Sequence, residues 1–204
     1  MTKRQILWLR ILVHVVSLVP LVMLLWAAWQ RQLGPDPIGE ATRRAGRYAI
    51  TWLLLALLPT AVKVVTGWPG LMRVRRALGL YAFMYAAIHL SVYVGIDYAF
   101  ALGLVAKELR RSPFILAGLA ALLVLVPLAV TSTDAWVRRL RRNWVRLHRL
   151  VYLAGALALL HYLWNYKELR REPLLAGSAF FVMLLLRMPF VAGLFGKLRQ
   201  RKGG

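Results

Sequence analysis

The chain contains no cysteine, which excludes disulfides, thiolate nucleophiles, cysteine-ligated zinc and iron–sulfur clusters. Acidic residues are scarce, with 7 Asp and Glu against 28 Lys and Arg and a formal net charge of +21. Those acids fall in turns or at the ends of apolar runs, so no nucleophile, base and orienting group converge for hydrolytic chemistry. No glycine-rich pyridine-nucleotide fingerprint is present. Linkers and low-complexity tracts are also missing, and no loop is long enough to fold as a separate module, so residues 1–204 read as one domain.

What the sequence has in abundance is apolar length. It is 60% hydrophobic with a mean hydropathy of +0.61, and its apolar residues come in blocks rather than amphipathic stripes. In a soluble protein such a positive charge would suggest nucleic-acid binding, but here the basic residues cluster between runs that need a lipid bilayer, and no nucleic-acid partner is expected. A span needs about 20 apolar residues. On that measure the chain is an all-α integral membrane protein, a bundle of six transmembrane helices spanning about 8–29, 48–68, 77–97, 113–131, 144–165 and 174–195. Lys63 must snorkel from the second, and Arg187 interrupts the sixth near its end. The first run is too long for a signal-peptide core and closes on Trp26-Ala27-Ala28-Trp29-Gln30, so it is expected to remain as a span.

Alternate loops differ in charge. The termini with the second and fourth loops carry a single acid, Asp134, among their many basic residues, whereas the other loops carry Asp36, Glu40, Asp97, Glu108, Glu168 and Glu172. By the positive-inside rule both termini are expected in the cytoplasm. Seven of the 8 tryptophans lie near span ends, as an interfacial belt requires.

All 4 histidines, His14, His89, His148 and His161, lie inside or at the edge of spans, where an imidazole needs a partner to offset its desolvation. His89 and His161 belong to the third and fifth spans, which run in the same direction. Counting about 1.5 Å per residue from Arg76 and Arg146 places both near or past the midplane, at a common level where they can face each other. His14 and His148 lie near the cytoplasmic surface. Ala82 and Ala86 precede His89 at the same offsets at which Ala154 and Ala158 precede His161, giving each histidine a face of small residues. Such faces suit a slot for a porphyrin between two axial imidazoles, and they also suit plain helix packing, with the histidines bonding across helices. Two opposed imidazoles fit six-coordinate haem b, whose filled axial positions favour electron transfer over oxygen chemistry. Zinc would need three convergent protein ligands, and covalent haem attachment would need a Cys-x-x-Cys-His motif. His148 and His161 project roughly 140° apart on an ideal helix, so they are expected to serve different partners. Tyr152 and Gly155 share the His148 face, where the glycine would leave space.

The series Arg75-Arg76-Ala77-Leu78-Gly79-Leu80-Tyr81, His89-Leu90, Pro127-Leu128-Ala129-Val130-Thr131-Ser132-Thr133, Trp144-Val145-Arg146-Leu147-His148-Arg149-Leu150-Val151-Tyr152 and His161-Tyr162-Leu163-Trp164 resembles, in order and over nearly the whole chain, the MsrQ family. Its members are haem-binding membrane subunits of the bacterial protein-methionine-sulfoxide reductase system. The Leu33-Gly34-Pro35-Asp36-Pro37 turn and His14 are similar to that family's amino-terminal region.

The resemblance implies a single ferric-reductase-like transmembrane domain in the bacterial inner membrane. It implies electrons received from a cytosolic flavin reductase and passed to a periplasmic molybdopterin methionine-sulfoxide reductase that repairs oxidised envelope proteins. The chain itself would be the electron-transfer subunit, not the sulfoxide-reducing catalyst. The family's haem histidines correspond to His89, His148 and His161, and FMN is a second cofactor associated with it. Relatives in the wider ferric reductase group often place two histidines on each of two helices; here the third span offers only His89. The resulting expectation is that His89 and His161 hold an outer haem b, while the level of His148, Arg75, Arg76 and Trp144 receives flavin or, with His14, a second haem. Arg75 and Arg76 are the candidates for a flavin phosphate. A stand-alone ferric or quinone reductase and a non-redox transporter, with histidines as proton relays, are the competing readings.

Overall fold

The structure is a computed structural model that describes residues 2–165 and 171–202; part of the expected fifth loop, with Glu168, lies outside the described residues. Helix α1 (Lys3–Trp29) begins in a capping box in which Thr2 and Gln5 satisfy each other's backbone N–H groups. α2 (Pro37–Thr66) starts from an Asp36 cap with Pro37 in its first turn and ends at Gly67, whose φ of 78° closes the last turn in the left-handed region. α3 (Arg75–Ser91) runs into a π-helical turn over Val92–Asp97, and α4 (Leu102–Arg111) leads to α5 (Pro113–Val130).

Two short arginine-rich helices follow, α6 (Asp134–Leu140) and α7 (Arg142–His148), joined at Arg141 with a φ of 48°. The chain then enters α8 (Val151–Asn165), α9 (Arg171–Leu185) and α10 (Pro189–Lys202).

Four of these helices, α1, α2, α3 with its π turn, and α5, are long and apolar enough to cross a membrane; α9 and α10 together make a fifth candidate, bent by 71° between Leu185 and Pro189. The expected fifth span is not one continuous helix. Its backbone breaks at Arg149 and Leu150, leaving the 15 residues of α8 short of a full crossing. The sixth expected span breaks at Leu186, Arg187 and Met188, immediately before Pro189, which cannot continue the preceding helix's hydrogen-bond ladder.

Two helix pairs build the centre, α2 along α3 and α5 along α8. In lipid no hydrophobic effect drives helices together, so close packing must do so, and small side chains allow it. Ala45, Ala56, Ala82, Ala121 and Ala154 are all buried, interleaved with Leu53, Leu57, Tyr85 and Leu125. α1 lies at the edge of this core and exposes a long apolar face, including Leu12, Val19 and Leu25, suited to lipid. It is pinned by Tyr85. Pro20 disturbs the α1 ladder, and the fully buried Tyr85 hydroxyl enters there, donating to the Ser17 carbonyl at 2.6 Å and accepting from the Leu21 N–H at 3.1 Å.

Candidate functional site

His89 sits near the end of α3 and His161 in the last third of α8. Their rings face each other with centroids 6.0 Å apart and planes inclined by 73°. Each ring is fixed in the same way: His89 Nδ1 lies 2.8 Å from the Thr42 carbonyl, and His161 Nδ1 lies 2.7 Å from the Phe114 carbonyl. A carbonyl only accepts, so both Nδ1 atoms carry the proton and both Nε2 lone pairs are left free. A metal–imidazole bond of about 2.0–2.1 Å on each side, in line, would set two ring centroids about 6 Å apart, so the observed spacing suits one metal ion between the rings.

The close approach to α2 and α5 depends on two glycines. A Cβ at Gly46 would stand 3.1 Å from His89 Nδ1, and one at Gly118 would stand 2.8 Å from His161 Nδ1. Both cradles share one sequence geometry: the histidine follows its carbonyl partner by 47 residues in each case. A shift of 72 residues carries Thr42, Gly46, Ala82, Ala86 and His89 onto Phe114, Gly118, Ala154, Ala158 and His161. Around the two rings lies a cavity of about 290 Å³ walled by Ala82, Ala86 and Ala158 together with Leu53 and Leu125, and with Arg43 and Arg47 also at its wall. Ala154, the fourth alanine of the expected slot, is instead packed into the core.

His148 lies in a second cavity of about 400 Å³ with Arg75, Arg76, Trp144, Phe83 and Tyr152. Thr131 organises it. Its hydroxyl donates to the Pro127 carbonyl at 2.6 Å and therefore accepts from His148 Nε2, 3.0 Å away, placing that ring's proton on Nε2. The Thr131 carbonyl accepts from Trp144 Nε1 at 2.8 Å, and the indole stacks on His148 with centroids 3.9 Å apart. His148 is thus held in the opposite tautomer to His89 and His161. The space expected beside it at Gly155 is taken by Phe180 of α9, whose ring comes within 2.5 Å of where a Cβ would stand.

The structure does not bring His14 into either cavity; its Nδ1 pairs with the Tyr81 hydroxyl at 2.8 Å on the exposed side of α1. Arg76 is engaged by Asp134 at 2.6 Å and the Ser132 carbonyl, and that guanidinium holds the Asp134 carboxyl below the ordinary carboxylate range. Arg75 makes no ion pair among the described residues. No group of three or more His, Asp and Glu with metal-binding proximity occurs among the described residues, so an ion between His89 and His161 would draw its remaining ligands from a non-protein group.

The facing histidines, their glycine cradles and the apolar helices around them define a multi-pass membrane protein. Residues 45–159 match the family described as ferric reductase like transmembrane component. More narrowly, the chain belongs to the MsrQ family. It is 41% identical over 189 residues to the protein-methionine-sulfoxide reductase heme-binding subunit MsrQ of Xanthomonas euvesicatoria pv. vesicatoria, covering 90% of this chain and 87% of the relative. The figures are the same for the protein of that name from Xanthomonas oryzae pv. oryzae. The one from Xanthomonas campestris pv. campestris is 42% identical over 178 residues, 84% of this chain and 82% of the relative. No solved structure matches the chain.

Proposed function

We propose that this protein is the haem-bearing electron-transfer subunit of a bacterial inner-membrane methionine-sulfoxide reductase system. In this reading it takes electrons from a cytosolic flavin reductase and delivers them to a periplasmic molybdopterin reductase. Residues 1–204 form one ferric-reductase-like domain with six crossings, the broken α7–α8 and α9–α10 segments supplying two of them, and both termini are cytoplasmic. The observation that carries the reading is the opposed pair of imidazoles, His89 and His161, each with Nδ1 spent on a backbone carbonyl and Nε2 free.

His89 and His161 would hold haem b, and iron held by both imidazoles would supply one-electron exchange. Everything else is the work of the chain. The Thr42 and Phe114 carbonyls fix each ring's tautomer and orientation and raise the basicity of the ligating nitrogen. Gly46 and Gly118 let the rings lie against helix backbone, and the apolar walls at Leu53 and Leu125 keep water away and lower the local dielectric. Arg43 and Arg47, at the wall of the same cavity, are placed to meet the carboxylates of the porphyrin. The cavity at His148 would receive FMN or a second haem, with Arg75 and Trp144 at its wall.

The test is transfer through the purified protein. Dithionite should shift its Soret band, and reduced pyridine nucleotide with a flavin reductase should do the same. Addition of the molybdopterin partner and methionine sulfoxide should then reoxidise it. A colourless folded protein would refute the haem reading; a haem that the partner cannot reoxidise would refute the pathway and leave a stand-alone reductase.

A further inference from the structure

The two cavities share a wall. Among the described residues, Leu53 of α2 and Leu125 of α5 are the two that line both the cavity of His89 and His161 and the cavity of His148. Both side chains are buried in one packed cluster. They are also counterparts, since the 72-residue shift that carries His89 onto His161 carries Leu53 onto Leu125. Leu53 stands seven residues beyond Gly46, and Leu125 seven beyond Gly118. That offset is two turns along the same helix face and about 10 Å along the axis. The leucines therefore meet one level from two helices, between the cavities, in a layer one side chain deep.

This layer separates two polar ends. The first cavity carries Arg43 and Arg47 at its wall, and the second carries Arg75, Arg76 and Ser132. Groups of that kind hold water. Next to the leucines the linings turn apolar, with Ile50 and Leu122 three residues before them in the first cavity and Ala56 and Leu128 three residues after them in the second. Apolar constrictions of this kind exclude water. Without the two leucines the cavities would join into one passage with arginines at either end, and such a passage, once hydrated, would carry protons through a protein that crosses a membrane. A proton needs a chain of hydrogen-bonding groups; an electron crosses a single layer of side chains without one.

We propose that Leu53 and Leu125 form a seal that stops water and protons passing between the two cavities while leaving the way open to electrons. The role rests on the reading of both cavities as stations on one electron path, but proton leak, which registers the seal, is measurable whether or not haem is bound.

The experiment uses the full-length protein in proteoliposomes with a pH-sensitive dye inside, a pH step outside, and potassium with valinomycin to clamp the potential. The wild type should leak protons no faster than protein-free liposomes. The double variant Leu53→Ala with Leu125→Ala should leak about tenfold faster, because shortening both side chains opens the constriction, and each single variant should leak by a smaller factor. Leu57→Ala removes another buried leucine of α2 that lines neither cavity, and it should stay as tight as the wild type. Adding Leu125→Phe to Leu53→Ala refills the space from the opposite helix and should lower the leak again. The Soret band, recorded on the same samples, should be that of the wild type throughout. A colourless wild type would refute the haem reading and leave the leak comparison to decide the seal. If the double variant does not fold, the two single variants decide. Variants as tight as the wild type, or a Leu57→Ala protein that leaks as fast as they do, would overturn the proposal.

Discussion

The α2–α3 pair and the α5–α8 pair are built alike at one end and differently at the other. At the end holding His89 and His161, each pair contributes a carbonyl, a glycine and an imidazole in matching register. At the opposite end the same 72-residue shift that matches His89 with His161 matches Arg76 with His148. One pair there offers a cation tied to Asp134; the other offers an imidazole stacked on Trp144 and bonded to Thr131. Symmetry is kept around the paired imidazoles and lost at the opposite end. That difference sets a symmetric pair of imidazoles at one level against an asymmetric, arginine-rich pocket at the other.

The strongest way to break this comparison is to remove one imidazole from the symmetric level. His161→Leu or His89→Leu should abolish the low-spin haem at that level, measured by pyridine haemochrome and absorbance, while His148→Leu should spare it. Next come the cradles. Gly118→Ala puts a Cβ 2.8 Å from the ring and Gly46→Ala puts one 3.1 Å away, so the first should weaken haem retention more. Overpacking of this kind costs about 1–3 kcal/mol, readable as faster loss of haem to apomyoglobin. Equal, negligible effects would mean that the rings do not lie against those helices.

Smaller effects belong to the asymmetric level. Thr131→Val removes the acceptor of His148 Nε2 and should destabilise the protein by about 1 kcal/mol in a thermal shift, without altering the low-spin haem. The smallest concerns Asp134, whose carboxyl is held low by Arg76. A depressed folded-state pKa contributes stability above the unfolded value, near 3.8, and loses it as the pH falls through the folded one. Asp134→Asn should therefore be less stable than the wild type at neutral pH and converge with it in acid, as melting curves across that range would show.

Much of this was legible beforehand because histidines are rare and bilayers demand length. The facing of His89 and His161 followed from counting rise per residue in two parallel spans, and three of the four offset alanines, Ala82, Ala86 and Ala158, line the cavity beside them. Gly46 and Gly118 were not read, although the repeat that relates the alanines also relates the glycines; a search at the spacing of the histidines would have found them. The Thr42 and Phe114 carbonyls leave no side-chain signal at all. His14 was drawn toward His148 by depth alone, and depth along a helix says nothing about which side of the bundle a ring faces. The breaks at Arg149 and Arg187 escaped hydropathy because a window average passes over two or three non-helical residues, yet the second break is what aims Arg187 inward.

Electron paramagnetic resonance of the oxidised protein tests the central claim most directly. If His89 and His161 hold a haem iron with their rings as far from parallel as they lie here, at 73°, the oxidised protein should give a highly anisotropic low-spin ferric signal that His161→Leu converts to high spin or removes. A wild-type signal that is high-spin, or a low-spin signal that survives His161→Leu unchanged, would contradict it.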